Sequence, residues 1–156
     1  MGFGALSVKG RALRHLAQRE HSRVELERKL ARAVEDTPEA SAAVLIATAL
    51  DDLAAKGLLS EERTAASVLS GQGQRYGSRR LKQTLQAKGL APELVSATLQ
   101  QARSTELERA REVWRRRYGE PATDAAGRAK QMRFLAGRGF EGDVIRRVLQ
   151  VGDDDS

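Results

Sequence analysis

The chain has no cysteine, which excludes disulfides, thiolate metal sites and a cysteine nucleophile. Histidine occurs only twice, at His15 and His21, and proline three times. Aromatic residues make up 4% of the 156 positions, so few rings exist to fill a thick core. Val and Ile together number 12 against 43 Ala and Leu, a ratio that favours helices, because Ala and Leu head the helix scale and β-branched residues the strand scale. No uninterrupted apolar run reaches membrane-spanning length. The opening apolar residues lead too soon into Lys9 and Arg11 to form a secretory signal, and the chain is expected to be cytoplasmic. The length suits one ordinary domain or a few small stacked units. Thin helical layers are the expected result.

What the chain has in quantity is charge, 31% of its residues with a formal net charge of +6. Residues 1–34 carry +5, 35–70 carry −5, 71–102 carry +4 and 103–152 carry +5, and Asp153, Asp154 and Asp155 lie in an acidic tail at 151–156. Within 103–120, Glu108 and Glu112 stand three or four positions from Arg111, Arg115 and Arg116, so much of that charge can pair along one helix. The stretch 72–90 differs: Arg75, Arg79, Arg80, Lys82 and Lys88 occur with no acid at all. Such a composition attracts phosphates or an acidic protein surface.

Helix start signals divide the chain. Leu6, Leu13, Leu16 and Ala17 suggest a first helix. Ser22 followed by Glu25 is a capping box that predicts a second from about residue 23, with Val24, Leu26, Leu30 and Val34 near its apolar stripe. Thr37-Pro38 predicts the start of a third, followed by Val44, Ile46, Ala47, Leu50 and Leu53. Ser60-Glu61-Glu62 starts a fourth, with acids in the favourable first turn.

The stop signals are more specific. Three times the chain reads basic-Gly-apolar, at Lys56-Gly57-Leu58, Lys88-Gly89-Leu90 and Arg138-Gly139-Phe140. If each glycine is the left-handed residue just past a helix, the position four before it should touch the residue after it. Those positions are Leu53, Leu85 and Leu135, as a Schellman hydrophobic contact requires. The last two stops lie 50 residues apart, and the likeness extends from Gly77 and Gly127 to Leu99 and Leu149, breaking at Leu81, whose counterpart is Gln131. Tandem three-helix modules are therefore expected at 5–57, 60–102 and 104–150, each too small to bury its apolar face alone.

Catalytic chemistry finds little support. On a single helix His15 and His21 would be turned about 240° apart, unable to face one ion, and no third ligand stands nearby. Ser22 beside His21 is accounted for by capping, since adjacent side chains rarely meet at one point. Gly71-Gln72-Gly73-Gln74-Arg75-Tyr76-Gly77 lacks the Gly-Lys-Ser/Thr and preceding strand of a phosphate loop and reads as a linker between helices. Trp114 and Tyr118 line up with Leu107 and Ala110 as core. No metal, cofactor or catalytic residue is expected, and the protein should act by binding.

Several segments together resemble one family. Ala12-Leu13-Arg14-x-Leu16 leads into Arg19-Glu20-His21-Ser22-Arg23-x-Glu25-Leu26 and Lys29-Leu30, and Leu53-x-x-x-Gly57-Leu58 into Arg63-x-Ala65. Gly77-Ser78-Arg79-Arg80-Leu81, Leu85-x-x-Lys88-Gly89-Leu90 and Phe134-Leu135-x-x-Arg138-Gly139-Phe140 follow in order. Over residues 12–149 the chain resembles the RecX family of bacterial recombination regulators. It departs from that pattern at Ser60-Glu61, where an Asp is usual, and at Thr64, where an aromatic residue is usual.

The resemblance implies an all-α, elongated and curved array of three tandem three-helix modules that acts without catalysis. It implies a monomer that lies along the groove of RecA filaments on single-stranded DNA, with weak direct DNA contact, and inhibits RecA ATPase, strand exchange and co-protease activity. Recombination, DNA repair and the SOS response would be affected. Matching positions nominate Arg75, Arg79, Arg80, Lys82 and Lys88 first, then Arg19, His21 and Arg23, for which pairing with Glu20, Glu25 or Glu27 is the competing role. The alternative is an autonomous basic helical module that binds nucleic acid by itself.

Overall fold

The computed structural model describes residues 6–150, and within them the chain forms helices and no strand. The helices are α1 (Val8–Gln18), α2 (Arg23–Ala31), α3 (Ala42–Ala55), α4 (Glu61–Gln72), α5 (Ser78–Ala87), α6 (Pro92–Arg103), α7 (Glu106–Arg117), α8 (Ala125–Gly137) and α9 (Gly142–Gln150). The acidic tail at 151–156 falls outside the described residues. Two compact units divide the chain: one runs to Ala65 and includes Lys88–Leu90, and the other takes Ala66–Ala87 and the remainder from Ala91.

In the first unit α1, α2 and α3 pack on one another. Ala12, Leu26, Leu30, Ile46, Leu50, Leu53 and Leu59 form the core, edged by Val8, Leu16 and Val34. On α1 the inward position is Ala12, while Leu6 and Leu13, expected on the apolar face, stay 41% and 38% exposed. The capping box forms at Ser22: its hydroxyl accepts from Glu25 N at 3.1 Å and its own N–H donates to Glu25 Oε1 at 3.1 Å.

The third helix starts later than Thr37-Pro38 predicts. Thr37 N and Oγ1 both donate to the Ala40 carbonyl, so Pro38 occupies a turn, which its fixed φ suits as well as it suits a first helical position. Ser41 is the true cap, accepting from Val44 N at 3.3 Å.

All three predicted stop glycines adopt positive φ, 74° at Gly57, 69° at Gly89 and 87° at Gly139. At the first stop Leu58 N donates to Leu53 O at 2.9 Å, and at the third Phe140 N donates to Leu135 O at 3.2 Å. The apolar seal differs at the first. Leu58 remains 46% exposed, and Leu59 takes the buried place. A fourth positive-φ glycine, Gly119, ends α7.

In the second unit α5 pairs with α6, α6 with α7, and α7, α8 and α9 with each other. Leu81 and Leu85 of α5 and Val95, Leu99 and Ala102 of α6 are buried. Ala110, Leu135, Phe140, Val144, Ile145 and Val148 form the other cluster, with Trp114 and Phe134 packed against it. Phe140 is a fully buried ring, and such burial contributes about 2–3 kcal/mol. The break at Gln131 also resolves. Trp114 Nε1 donates to Gln131 Oε1 at 2.9 Å and Gln131 Nε2 to the Glu120 carbonyl at 3.1 Å, so a buried amide serves where α5 has Leu81.

Candidate functional site

The acid-free stretch becomes the linker before α5 and α5 itself. Arg75, Arg79, Arg80 and Lys82 are exposed, and none takes part in the ion pairs found among the described residues. Cations in the first turn of a helix oppose its dipole, so something must offset them. Glu106 does so from below. It is 2% exposed, and its carboxylate accepts from Ser78 N at 3.0 Å and from the Ser78 hydroxyl. A buried acid thus caps α5 while the basic side chains face water.

Arg109, one turn further along α7, fixes the linker. Its guanidinium donates to the carbonyls of Gly73, Tyr76 (2.9 Å) and Ala102 (2.8 Å) and to Thr105 Oγ1 (3.1 Å). Burial pulls its pKa below the ordinary arginine value, and the nearby Glu106 charge opposes that shift. On its other side the start of α5 meets the stop after α8. Gly77 N donates to Arg138 O at 2.9 Å and Arg79 N to Gly139 O at 3.0 Å. A Cβ on Gly77 would lie 2.4 Å from Phe140 Cα, and one on Gly139 2.5 Å from Arg80 Cβ. Only glycine permits this approach of backbone to backbone.

Rings and guanidinium groups complete the surface. Arg80 lies 4.4 Å from the Tyr76 ring centre, Arg75 6.0 Å and Arg138 5.6 Å. Arg79 and Lys82 line a neighbouring groove with Ser78, Gln83, Gln86, Arg103 and one acid, Glu141.

The remaining nominated residues lie elsewhere and are engaged. Arg19 donates to Glu25 Oε2 at 2.7 Å, and Arg23 to Glu27 Oε1 at 3.1 Å and Asp51 Oδ1 at 2.7 Å. Lys88 donates to Glu25 Oε1 at 2.9 Å, and its carbonyl accepts from Ser22 Oγ at 2.5 Å. Burial pushes the Glu25 carboxyl upward, yet bonds from Arg19, Lys88 and Ser22 N outweigh it and hold the pKa at about 2. Lys88 is therefore removed from the free patch by its ion pair, and Arg19 and Arg23 take the pairing role.

His21 cannot make an outward contact. It is 0% exposed, with Nδ1 2.9 Å from the Arg19 carbonyl and Nε2 2.8 Å from Lys29 Nζ. Since Lys29 can only donate, Nε2 accepts, Nδ1 carries the proton and the ring is neutral. Burial lowers its pKa, assisted by the Arg19 and Lys29 charges, against the Arg19 carbonyl and Glu25, which raise it. The turn after α1 brings the His15 and His21 rings to 5.6 Å, closer than a single helix would allow. No group of three metal-ligating side chains stands among the described residues.

Missed as site residues at the sequence level were Glu106, Arg109 and Arg138, which reach Ser78, Gly73 and Tyr76 from far along the chain. Among the described residues no helix is long and apolar enough to cross a membrane.

The fold and this surface define an all-helical protein built of tandem three-helix domains. Residues 60–99 match the family model for the second three-helix domain of RecX, and residues 104–149 the model for the third. Regulatory protein RecX of Leptothrix cholodnii is 51% identical, over 95% of this chain and 90% of that protein. Regulatory protein RecX of Ralstonia nicotianae is 43% identical, over 95% of this chain and 89% of that protein. The crystal structure of RecX from Lactobacillus salivarius shares the fold with a TM-score of 0.74 at 20% identity, covering 94% of each chain. The chain belongs to the RecX family of regulatory proteins.

Proposed function

We propose that this protein binds RecA filaments on single-stranded DNA as a monomer and inhibits RecA ATPase, strand exchange and co-protease activity. Its three modules, at 5–57, 60–102 and 104–150, then act as linked weak contacts along the filament. The observation that carries this reading is the unpaired cationic face of α5, Arg79, Arg80 and Lys82, held over a buried acid and a pinned linker. A basic face suits a negatively charged nucleoprotein, because its cations need not be released from carboxylates before they bind.

The test is RecA-catalysed ATP hydrolysis on single-stranded DNA. Substoichiometric wild-type protein slows hydrolysis, and Arg79→Glu with Lys82→Glu loses most of that inhibition and co-sediments less with filaments. An unchanged hydrolysis rate with the wild-type protein demonstrably bound would defeat the proposal.

A further inference from the structure

Two helices leave an apolar residue exposed at the centre of their outer faces, and the charges around the two are opposite. In the first unit α3 buries Ile46, Leu50 and Leu53 and packs on α1 and α2. At about 100° per residue, Val44, Thr48, Asp51 and Ala55 fall on its other side within about 60° of arc. All four are exposed, Val44 by 55%. In the second unit α8 buries Gln131 and Leu135 and packs on α7 and α9. Its outer side holds Ala125, Arg128, Met132 and Ala136 within about 80° of arc, and Met132 is 44% exposed.

We infer that the outer face of α3 on one copy of this chain docks on the outer face of α8 on a second copy. Charge complementarity selects that occupant. Residues 35–55 carry five acids and no base, whereas residues 125–138 carry four bases and no acid. Asp51 and Asp52 are matched within their own unit, by Arg23 and by Lys9 and Lys56. Glu35, Asp36 and Glu39 are exposed and take part in none of the ion pairs among the described residues.

The loop that carries them is fixed beside Val44. Asp36 Oδ1 accepts from Ala42 N at 2.6 Å, and Ala40 N donates to Thr37 Oγ1 at 3.2 Å. Across the contact Lys130 and Arg133 are exposed and likewise outside those ion pairs. Small side chains let the two helices approach closely: Thr48 spends its hydroxyl on the Val44 carbonyl at 2.9 Å, and Ala55, Ala125 and Ala136 add little bulk. Unlike faces meet in this contact, so it is heterologous.

Two single helix faces bury well under the about 1,200 Å² of a stable complex, so the free chain stays monomeric. Copies aligned on a common lattice meet at a far higher effective concentration, where a weak contact becomes cooperative binding. The inference goes beyond the filament reading, and only the second measurement below rests on it.

The first measurement needs no RecA. Because the chain has no cysteine, Val44→Cys and Met132→Cys each supply a single thiol at an exposed position. A short bismaleimide added to concentrated full-length protein is expected to give roughly tenfold more cross-linked pair in a mixture of the two variants than in either alone, since like faces bring equal charges together. Equal yields in the mixture and in the single variants overturn the inference. The second measurement follows co-sedimentation with preassembled RecA filaments as protein is added. The wild-type curve is expected to be sigmoidal, Val44→Lys and Met132→Glu each to make it hyperbolic, and the two substitutions in one chain to restore it, because the new lysine of one copy then faces the new glutamate of the next. A hyperbolic wild-type curve, or loss of binding that the double variant does not restore, overturns the inference and assigns the faces to another partner. Absence of any filament binding defeats the filament reading and leaves the cross-linking result to decide this one.

Discussion

Replacing Glu106 tests whether a buried acid holds the basic face in place. In Glu106→Ala the Ser78 amide and hydroxyl both lose their acceptor at a residue that is 1% exposed. A buried donor left unpaired costs about 1–3 kcal/mol, so the pair predicts a loss of about 3–4 kcal/mol. Glu106→Gln behaves differently. Its carbonyl can accept from the Ser78 N–H and its amide can donate to the hydroxyl oxygen, so only the charge assistance disappears, about 1 kcal/mol. The assay is urea unfolding followed by the fluorescence of Trp114, the chain's single tryptophan, which sits in the same unit as Glu106. At a slope of about 2 kcal/mol per molar, the Ala variant should shift the midpoint down by about 1.5–2 M and the Gln variant by about 0.5 M. Equal midpoints for the two variants would refute the reasoning, because the bonds to Ser78 would then contribute nothing.

Two further outcomes follow from the helix stops and the buried histidine. Gly57 and Gly89 share positive φ, but a Cβ on Gly57 meets nothing within 4 Å, whereas one on Gly89 lies 2.5 Å from Val24 Cγ2. Gly57→Ala should therefore cost about 1–2 kcal/mol of left-handed strain in urea unfolding, and Gly89→Ala clearly more, with part of the excess relieved by Val24→Ala. For His21, the neutral ring of the folded state has a pKa below the free value of 6.5, so the unfolded chain binds the extra proton. Stability is full above pH 6.5 and falls as pH drops through the lowered folded value; His15, lowered by burial and by Lys29, Arg19 and Arg14, adds in the same direction. Thermal melting from pH 7.5 to 5 should show this decline, and His21→Asn should flatten it. A wild-type melting temperature unchanged over that range would contradict the buried neutral ring.

Local signals were the legible part of this chain. The Ser22 capping box and the three glycine stops depend on residues within five positions of each other, and their backbone geometry formed as read. Thr37-Pro38 misled because turns and helix starts use the same residues. Gly119 escaped notice because Glu120-Pro121 follows it, with no apolar residue to seal the stop. The greater omission concerns charge. Glu112 does pair along α7 with Arg115 and Arg116, as spacing suggests. Glu106 and Arg109 occupy the same helix, but the bonds of Glu106 to Ser78 and of Arg109 to Gly73 and Tyr76 obey no such spacing, since they span 28 to 36 residues. Thr64, a departure from the family pattern, has a use that is equally remote: its hydroxyl donates to the His21 carbonyl at 3.0 Å.

The same joint recurs in the two units and has opposite consequences for charge. In each, the start of a helix rests against a basic-Gly-apolar stop, Ser22 of α2 against Lys88-Gly89 and Ser78 of α5 against Arg138-Gly139, and each start is backed by an acid. In the first unit Glu25 is reached by Arg19 and Lys88, so the joint consumes its own cations. In the second the acid is Glu106, which is satisfied by Ser78, while Arg138, the counterpart of Lys88, turns onto Tyr76 and Phe134. Arg79, Arg80 and Arg138 therefore remain outside the ion pairs among the described residues. A net charge of +6 spread over the chain would not single out a surface. The choice of buried acid does, by neutralising one joint and leaving the other basic.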